Sequence, residues 1–236
     1  MLKSELLTRS PIRILEESIA GGLGKGNLGV FTARKGVGKT ASLVHVAVDK
    51  LLRDRKVLHI SFADDPRHIE SWYDQVFGEV ARAYNLESAL DDHEQIVRNR
   101  MILHFRDKNT PQAEIRKNAE RLIHGIPFVP ELVIVDGVNF YEASEDSLRF
   151  WKGLAAEHSV EMWFSATLHQ EALALDDRGI PAPINRFFDF FSVIIWLVPM
   201  PDCINLKLLK NHGMSDLSKL KLKLDSKTLL IANRRI

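Results

Sequence analysis

Eight residues, Ala33-Arg34-Lys35-Gly36-Val37-Gly38-Lys39-Thr40, fit the Walker A pattern A/G-x-x-x-x-G-K-S/T with alanine in the first place. The apolar run Leu28 to Thr32 reads as a strand leading in. Ala41 to Leu52 reads as a helix leading out, with Leu43, Val44, Ala47, Val48 and Leu51 at helical spacing. A glycine-rich turn can join any strand to any helix, and this strand, loop and helix order is what makes the pattern a phosphate site. Gly36 and Gly38 allow the backbone to curl so that its N–H groups point inward, and the helix N-terminus adds positive potential. The expected nucleotide ligands are therefore Arg34, Lys35, Gly36, Val37, Gly38, Lys39, Thr40 and Ala41. Lys39 is expected on the β- and γ-phosphates of ATP, and the Thr40 hydroxyl on Mg²⁺.

About a hundred residues later, Glu131-Leu132-Val133-Ile134-Val135-Asp136-Gly137 is an apolar run that ends in an acid. Continuous apolar runs mark parallel strands buried on both faces. A carboxylate at the C-terminal end of such a strand sits beside the phosphate loop, where it can hold Mg²⁺ or its water shell. Many strands end in Asp, so this signal gains its meaning from following a Walker A loop. Asp136 is the expected Walker B residue and, with Thr40, the expected metal site.

The 236 residues suit one α/β domain spanning 1–236. A formal net charge of +1 gives no general attraction for nucleic acid. The single cysteine, Cys203, rules out an intrachain disulfide and fits a reducing cytoplasm. Met1-Leu2-Lys3-Ser4-Glu5 opens no signal-peptide pattern, and Phe187 to Met200 contains Asp189 and is too short to span a bilayer, so no membrane is expected.

Further strands are expected at Val57 to Phe62, Met101 to Phe105, Leu132 to Val135, Val160 to Ala166, Ser192 to Val198, Ile204 to Leu209 and Leu220 to Leu224. Helical stripes fall at Ile69, Tyr73, Val76, Phe77 and Val80, at Ile115, Ala119 and Leu122, and at Leu148, Trp151 and Leu154. Alternating units with a strand-rich tail imply a mainly parallel sheet flanked by helices, with antiparallel strands at the C-terminal end. Lys219-Leu220-Lys221-Leu222-Lys223-Leu224 puts lysines on one strand face, which reads as an exposed edge strand or as a surface for an acidic partner.

Several segments, taken as an ordered set, carry a resemblance. Gly21-Gly22-Leu23-Gly24-Lys25-Gly26-Asn27-Leu28 resembles the glycine-rich lead-in of RecA-fold ATPases of the KaiC and DnaB type. Ile60-Ser61-Phe62-Ala63-Asp64-Asp65-Pro66, Trp163-Phe164-Ser165-Ala166-Thr167, Phe188-Asp189-Phe190-Phe191-Ser192-Val193-Ile194 and Leu209-Lys210-Asn211-His212-Gly213 are similar to later landmarks of that family, in order. The resemblance implies a RecA-like core that binds ATP and forms oligomers, most often hexamers. It also implies that Lys210 reaches a neighbouring subunit's phosphates from a turn between two late strands.

Two positions depart from the family. Ala63 stands where these proteins carry a water-activating Glu. Asp64, beside it, is the candidate catalytic acid, with Asp65 and Glu70 as alternatives that also read as helix caps. His212 stands where the family has Arg, and an imidazole is mostly neutral near pH 7. Catalysis is thus expected from Lys39, Asp64 and Lys210. Ser165, Thr167, His169 and Gln170 are competing candidates for sensing the γ-phosphate, each with an equal structural reading. No His, Cys or carboxylate group shows metal-ligand spacing along the chain.

The leading functional reading is a slow KaiC-like ATPase or ATP-dependent switch with a protein signalling partner. A DNA-handling motor would need a basic loop with stacking aromatics, but Thr167 to Asn185 has mixed charge and no aromatic residue. A catalytically weak nucleotide-binding scaffold is the third reading, favoured by Ala63. A ParA/MinD-like loop is a poorer match, because Arg34 rather than Lys35 holds that group's signature-lysine position.

Overall fold

The computed structural model describes residues 7–86, 89–107, 109–125, 128–169, 174–214, 217 and 220–233. The apolar runs form strands β1 (Leu28–Arg34), β2 (Val57–Ser61), β3 (Arg100–His104), β4 (Leu132–Asp136), β5 (Glu161–Leu168) and β6 (Phe191–Pro199). These pair in parallel in the order β3-β2-β4-β5-β1-β6. Every residue of β2 and β4 is buried, including the polar His59, Ser61 and Asp136 among their apolar residues, whereas β3 is only half-buried because it is the sheet edge. Strands β7 (Ile204–Asn211), β8 (Leu222–Leu224) and β9 (Ile231–Asn233) extend the same sheet antiparallel beyond β6.

Helices cover both faces. One core packs α1 (Pro11–Ser18), α2 (Lys39–Leu52), α3 (Pro66–Tyr84) and α4 (Ala89–Asn99) against Phe31, Ala33, Leu132 and Ile134. The other packs α5 (Gln112–Gly125), α6 (Glu145–Glu157) and the 3-10 helix Ile184–Phe190 against Leu28, Val30, Val133 and Val135. Adjacent strand residues thus serve opposite cores, which follows from the period-two geometry of a strand. Side chains fix the helix starts: Asp65 accepts from the Arg67 and His68 N–H groups at 2.9 and 3.2 Å, and Ser144 from Ser147 at 3.2 Å.

Three differences from the sequence reading have physical causes. Strand β1 runs two residues into the glycine-rich motif because Ala33 and Arg34 still pair with Thr167 and Leu168 of β5. The lysine-leucine segment is not an edge strand: β9 pairs along its outside, which leaves Lys223 half-buried between Asn205 and Ala232. Its leucines do face the core, and Lys219 lies outside the described residues. Helix α1, whose eight residues carry too short a stripe to stand out, docks on α2 through charge. Arg13 pairs with Glu16 and Asp49, and Arg53 reaches the same two acids at 3.2 and 2.5 Å. Phe187 to Met200 is divided between the 3-10 helix and β6, and no described helix is long and apolar enough to cross a membrane.

His45 ties α2 to the last strand. It is 4 % exposed, and its Nδ1 accepts from the Ile231 N–H at 2.9 Å. Burial pushes its pKa down to about 4. The unfolded chain, with an ordinary imidazole near 6.5, therefore binds this proton at a higher pH than the folded chain does. The contribution is fully present above pH 6.5 and is lost as pH falls toward 4. Asp49 and Glu16, raised by burial, oppose that trend, so the informative comparison is between variants. We expect the unfolding free energy of wild type to drop more steeply than that of His45→Gln between pH 6.5 and 4.5, by up to about 1.4 kcal/mol per pH unit. Urea titrations across that range check this, and parallel pH profiles would remove His45 as the acid-labile group.

Candidate functional site

Walker A residues 33–40 link β1 to α2 at the C-terminal rim of the parallel strands. Gly36 and Gly38 adopt φ of +81° and +97°, the left-handed region that L side chains rarely enter. Gly38 is the N-cap of α2 and offers no side-chain acceptor to the first turn. The Lys39, Thr40 and Ala41 N–H groups precede the intrahelical ladder and are therefore turned toward the loop. That is the geometry of an anion cradle at a helix N-terminus.

Lys39 is buried, and its Nζ donates to the carbonyls of Ala33 at 3.3 Å and Arg34 at 3.1 Å. Burial lowers its pKa, and the nearby Asp136 carboxylate works in the opposite sense. A cation bonded to two loop carbonyls is poised to turn toward an anion held by the same loop. Arg34, Lys35 and Gly36 line the exposed rim, Val37 packs against the core beneath, and Ala41 is fully buried.

Asp136 ends β4, as expected, and is 6 % exposed. The Thr40 hydroxyl donates to its Oδ2 at 2.8 Å, which joins the two sequence motifs in one contact. On the other side the Ser165 hydroxyl donates to Oδ1 and accepts from the Gly137 N–H at 3.2 Å. Strand β5 lies between β4 and β1, so Ser165 is level with the carboxylate it holds. A carboxylate and a hydroxyl oxygen this close are hard donors of the kind Mg²⁺ takes, so the residues present fit that ion.

The segment after β2 lies beside Asp136. Ser61 is in register with Asp136, and the Phe62 N–H donates to the Asp136 carbonyl at 2.9 Å. A Cβ on Gly137 would come within 2.6 Å of the Ala63 Cβ, so these two chains touch at backbone distance. Asp64 is clipped by Ser61, whose hydroxyl receives the Asp64 N–H at 3.0 Å and donates to its carbonyl at 2.9 Å. The Asp64 carboxylate is half-exposed, with His68 Nε2 3.8 Å away. Asp65 caps α3, as its alternative reading held, and Glu70 is exposed on that helix.

Lys210 is not in a turn. It lies on β7 opposite Ile194, which itself pairs with Val30 of β1. Its Nζ donates to the Phe188 carbonyl at 2.7 Å and sits 4.1 Å from the centroid of that ring. Arg34 is four residues beyond Val30, so Lys210 is displaced from its own loop by about 13 Å along the strands. The turn falls at His212, whose Nε2 is 3.2 Å from the Gly22 carbonyl. Strand β8 returns to the opposite end of β7, pairing at Ile204 and Asn205, so His212 does not open a tight hairpin.

Among the sensing candidates, Thr167 is exposed next to Ala33, and the His169 N–H donates to the Tyr141 hydroxyl at 3.1 Å. Gln170 lies outside the described residues. Chain spacing missed one group, because its members come from different helices: Glu120, Glu157 and His158 converge, with Arg116 on the two carboxylates at 3.2 and 2.7 Å. Also unforeseen is a cavity of about 250 Å³ floored by Phe62, Ile115, Val138 and Trp151, beside the Asp136 strand end rather than over the phosphate loop.

Residues 3–153, more than half of the chain, match a protein-family model described as an AAA domain. No curated protein matches the chain. The matched span holds both nucleotide motifs and stops short of Lys210, of Ser165 and of the last five strands, β5 to β9.

Ser165 therefore has a testable role in aiming Asp136. Loss of a residue that orients a metal ligand typically weakens the metal about 10- to 100-fold. Ser165→Ala should raise the Mg²⁺ concentration needed for half-maximal nucleotide-dependent stabilisation by about tenfold or more, leaving metal-free nucleotide affinity unchanged. Thermal melts at graded Mg²⁺ measure this, and an unshifted midpoint would assign Asp136 orientation to Thr40 alone.

Proposed function

This chain belongs to the AAA-domain family of P-loop ATPases, and from that premise we propose that it is a cytoplasmic, KaiC-like ATP-dependent switch of residues 1–236, hydrolysing ATP slowly within a homo-oligomer, most often a hexamer, and passing its nucleotide state to a protein partner. The observation that carries the proposal is the convergence of Lys39, Thr40 and Asp136 around one helix N-terminus. Lys39 meets the β- and γ-phosphates, and the first-turn N–H groups cradle them. Thr40 and Asp136 hold Mg²⁺, which when bound neutralises phosphate charge.

Ala63 supports the slow-hydrolysis reading. A methyl group stands at the position where a carboxylate would activate water, and Asp64 is the nearest acid. Its backbone is fixed by Ser61 while its carboxylate remains half-exposed, so water activation falls to a short side chain on a clamped turn. The lone, half-buried Cys203 is consistent with the reducing compartment proposed.

Strand register supports the oligomeric reading. Lys210 stands about 13 Å along the sheet from its own loop, too far for a lysine to serve both ends. It is therefore assigned to the phosphates of a neighbouring subunit, where a cation stabilises the charge that develops in phosphoryl transfer.

Lys39→Ala should weaken ATP binding by about 10- to 100-fold or more, since it removes a charge-assisted contact that no neighbour replaces. Lys210→Ala should slow hydrolysis with ATP affinity retained. Mixing the two variants should restore part of the rate, because one interface in the mixture pairs an intact loop with an intact Lys210. Light scattering with and without ATP, and a basal ATPase assay repeated with single-stranded DNA, complete the test. A monomer with ATP bound and no rescue on mixing would end the oligomeric reading, and stimulation by DNA would replace the switch with a motor.

A further inference from the structure

The last strands lie beyond the span that matches the AAA domain, yet one of them touches the phosphate loop. A Cβ placed on Gly38 would come within 2.5 Å of Leu224 Cδ2. Leu224 is fully buried and ends β8, so its side chain forms the floor on which the left-handed Gly38 rests. Val37 packs against the same core, and Gly38 is the loop residue that meets the C-terminal meander.

The meander is built to keep that floor in place. Leu224 pairs with Ile231 of β9, and the Ile231 N–H donates to Nδ1 of His45 on α2, the helix that starts at Lys39. The connecting turn is closed by Asp225, whose carboxylate accepts from the Lys227 and Thr228 N–H groups at 3.0 and 2.9 Å. The hairpin grips the loop at one point and the loop's own helix at another. A phosphate cradle held in shape before binding avoids the ordering cost that a loose one meets on binding.

We propose that Leu224 is a positioning residue for the nucleotide site, and that the C-terminal β8–β9 hairpin sets the affinity of the phosphate loop by holding Gly38 in its left-handed conformation. The inference rests on the reading that this loop binds ATP. Leu222 is the control: it is equally buried on the same strand and faces the same core, two residues from Leu224, and it makes none of the closest contacts at Gly38.

The test measures ATP dissociation constants with Mg²⁺ for the full chain and for Leu224→Ala, Leu224→Val, Leu224→Met and Leu222→Ala, with a thermal melt of each. Leu224→Ala should weaken ATP about tenfold. Leu224→Val, whose side chain is one carbon shorter and draws its methyls back from Gly38, should weaken it about threefold and covers the case in which the alanine variant does not fold. Leu224→Met should restore near-wild-type affinity, and Leu222→Ala should bind within about twofold of wild type despite a similar loss of thermal stability. Equal affinities for the Leu224 and Leu222 variants would overturn the positioning role while leaving ATP binding intact. A wild-type chain that fails to bind ATP would overturn the underlying reading and this inference with it.

Discussion

The Asp136 carboxylate is the joint of this molecule. It is nearly buried, and a polar group so placed needs hydrogen-bond partners. It finds two hydroxyls, Thr40 from the start of α2 and Ser165 from the strand between its own and β1. Those bonds fix the distance between the strand that ends in an acid and the helix that begins with a lysine. The backbone contributes as well, because the carbonyl of Asp136 receives Phe62 and Gly137 meets Ala63 at contact distance. Four segments far apart in sequence therefore share one rim, two of them joined through the Asp136 carboxylate and one through its backbone.

The parts of this arrangement legible in the sequence are those encoded locally. The Walker A loop needs glycines at fixed offsets and a lysine followed by a hydroxyl, so residues 33–40 announce themselves. Asp136 is legible because an acid that ends an apolar strand gains its meaning from the Walker A loop before it in the chain. The mainly parallel sheet with an antiparallel tail is likewise carried by strand periodicity and order. Ser165 is half-legible: a serine in the run Trp163-Phe164-Ser165-Ala166 is a polar group in a buried strand and asks for a partner, but nothing local names Asp136. The contact needs the order β4-β5-β1, which is a property of the whole sheet.

What the sequence conceals is set by pairing and by long-range packing. Strand β9 has three residues, too few for a pattern, and its presence turns an apparent edge strand into an interior one. The resemblance implies a turn at Lys210, yet the register of β7 on β6 extends through Asn211. Helix α1 is held through Arg13, Asp49 and Arg53, charges whose partners lie on another helix. Glu120, Glu157 and His158 converge for the same reason, across the seam between α5 and α6.

The sheet also explains why catalytic parts are divided between subunits in the proposed mechanism. In a parallel sheet all strand C-termini share one rim, so the loop, Asp136 and Asp64 gather there without special arrangement. An antiparallel strand reverses that polarity. Strand β7 begins at the phosphate rim and ends, at Lys210 and Asn211, beside the start of β6. Its last residues are therefore carried away from their own site, and Asn211 and His212 are fastened there to the carbonyls of Ser18 and Gly22. The reversal that separates Lys210 from its own loop also returns β8 to the rim, where Leu224 meets Gly38. One change of strand direction thus supplies the phosphate loop with a floor from its own chain and carries Lys210 away from that loop, which is the separation the proposed action in trans requires.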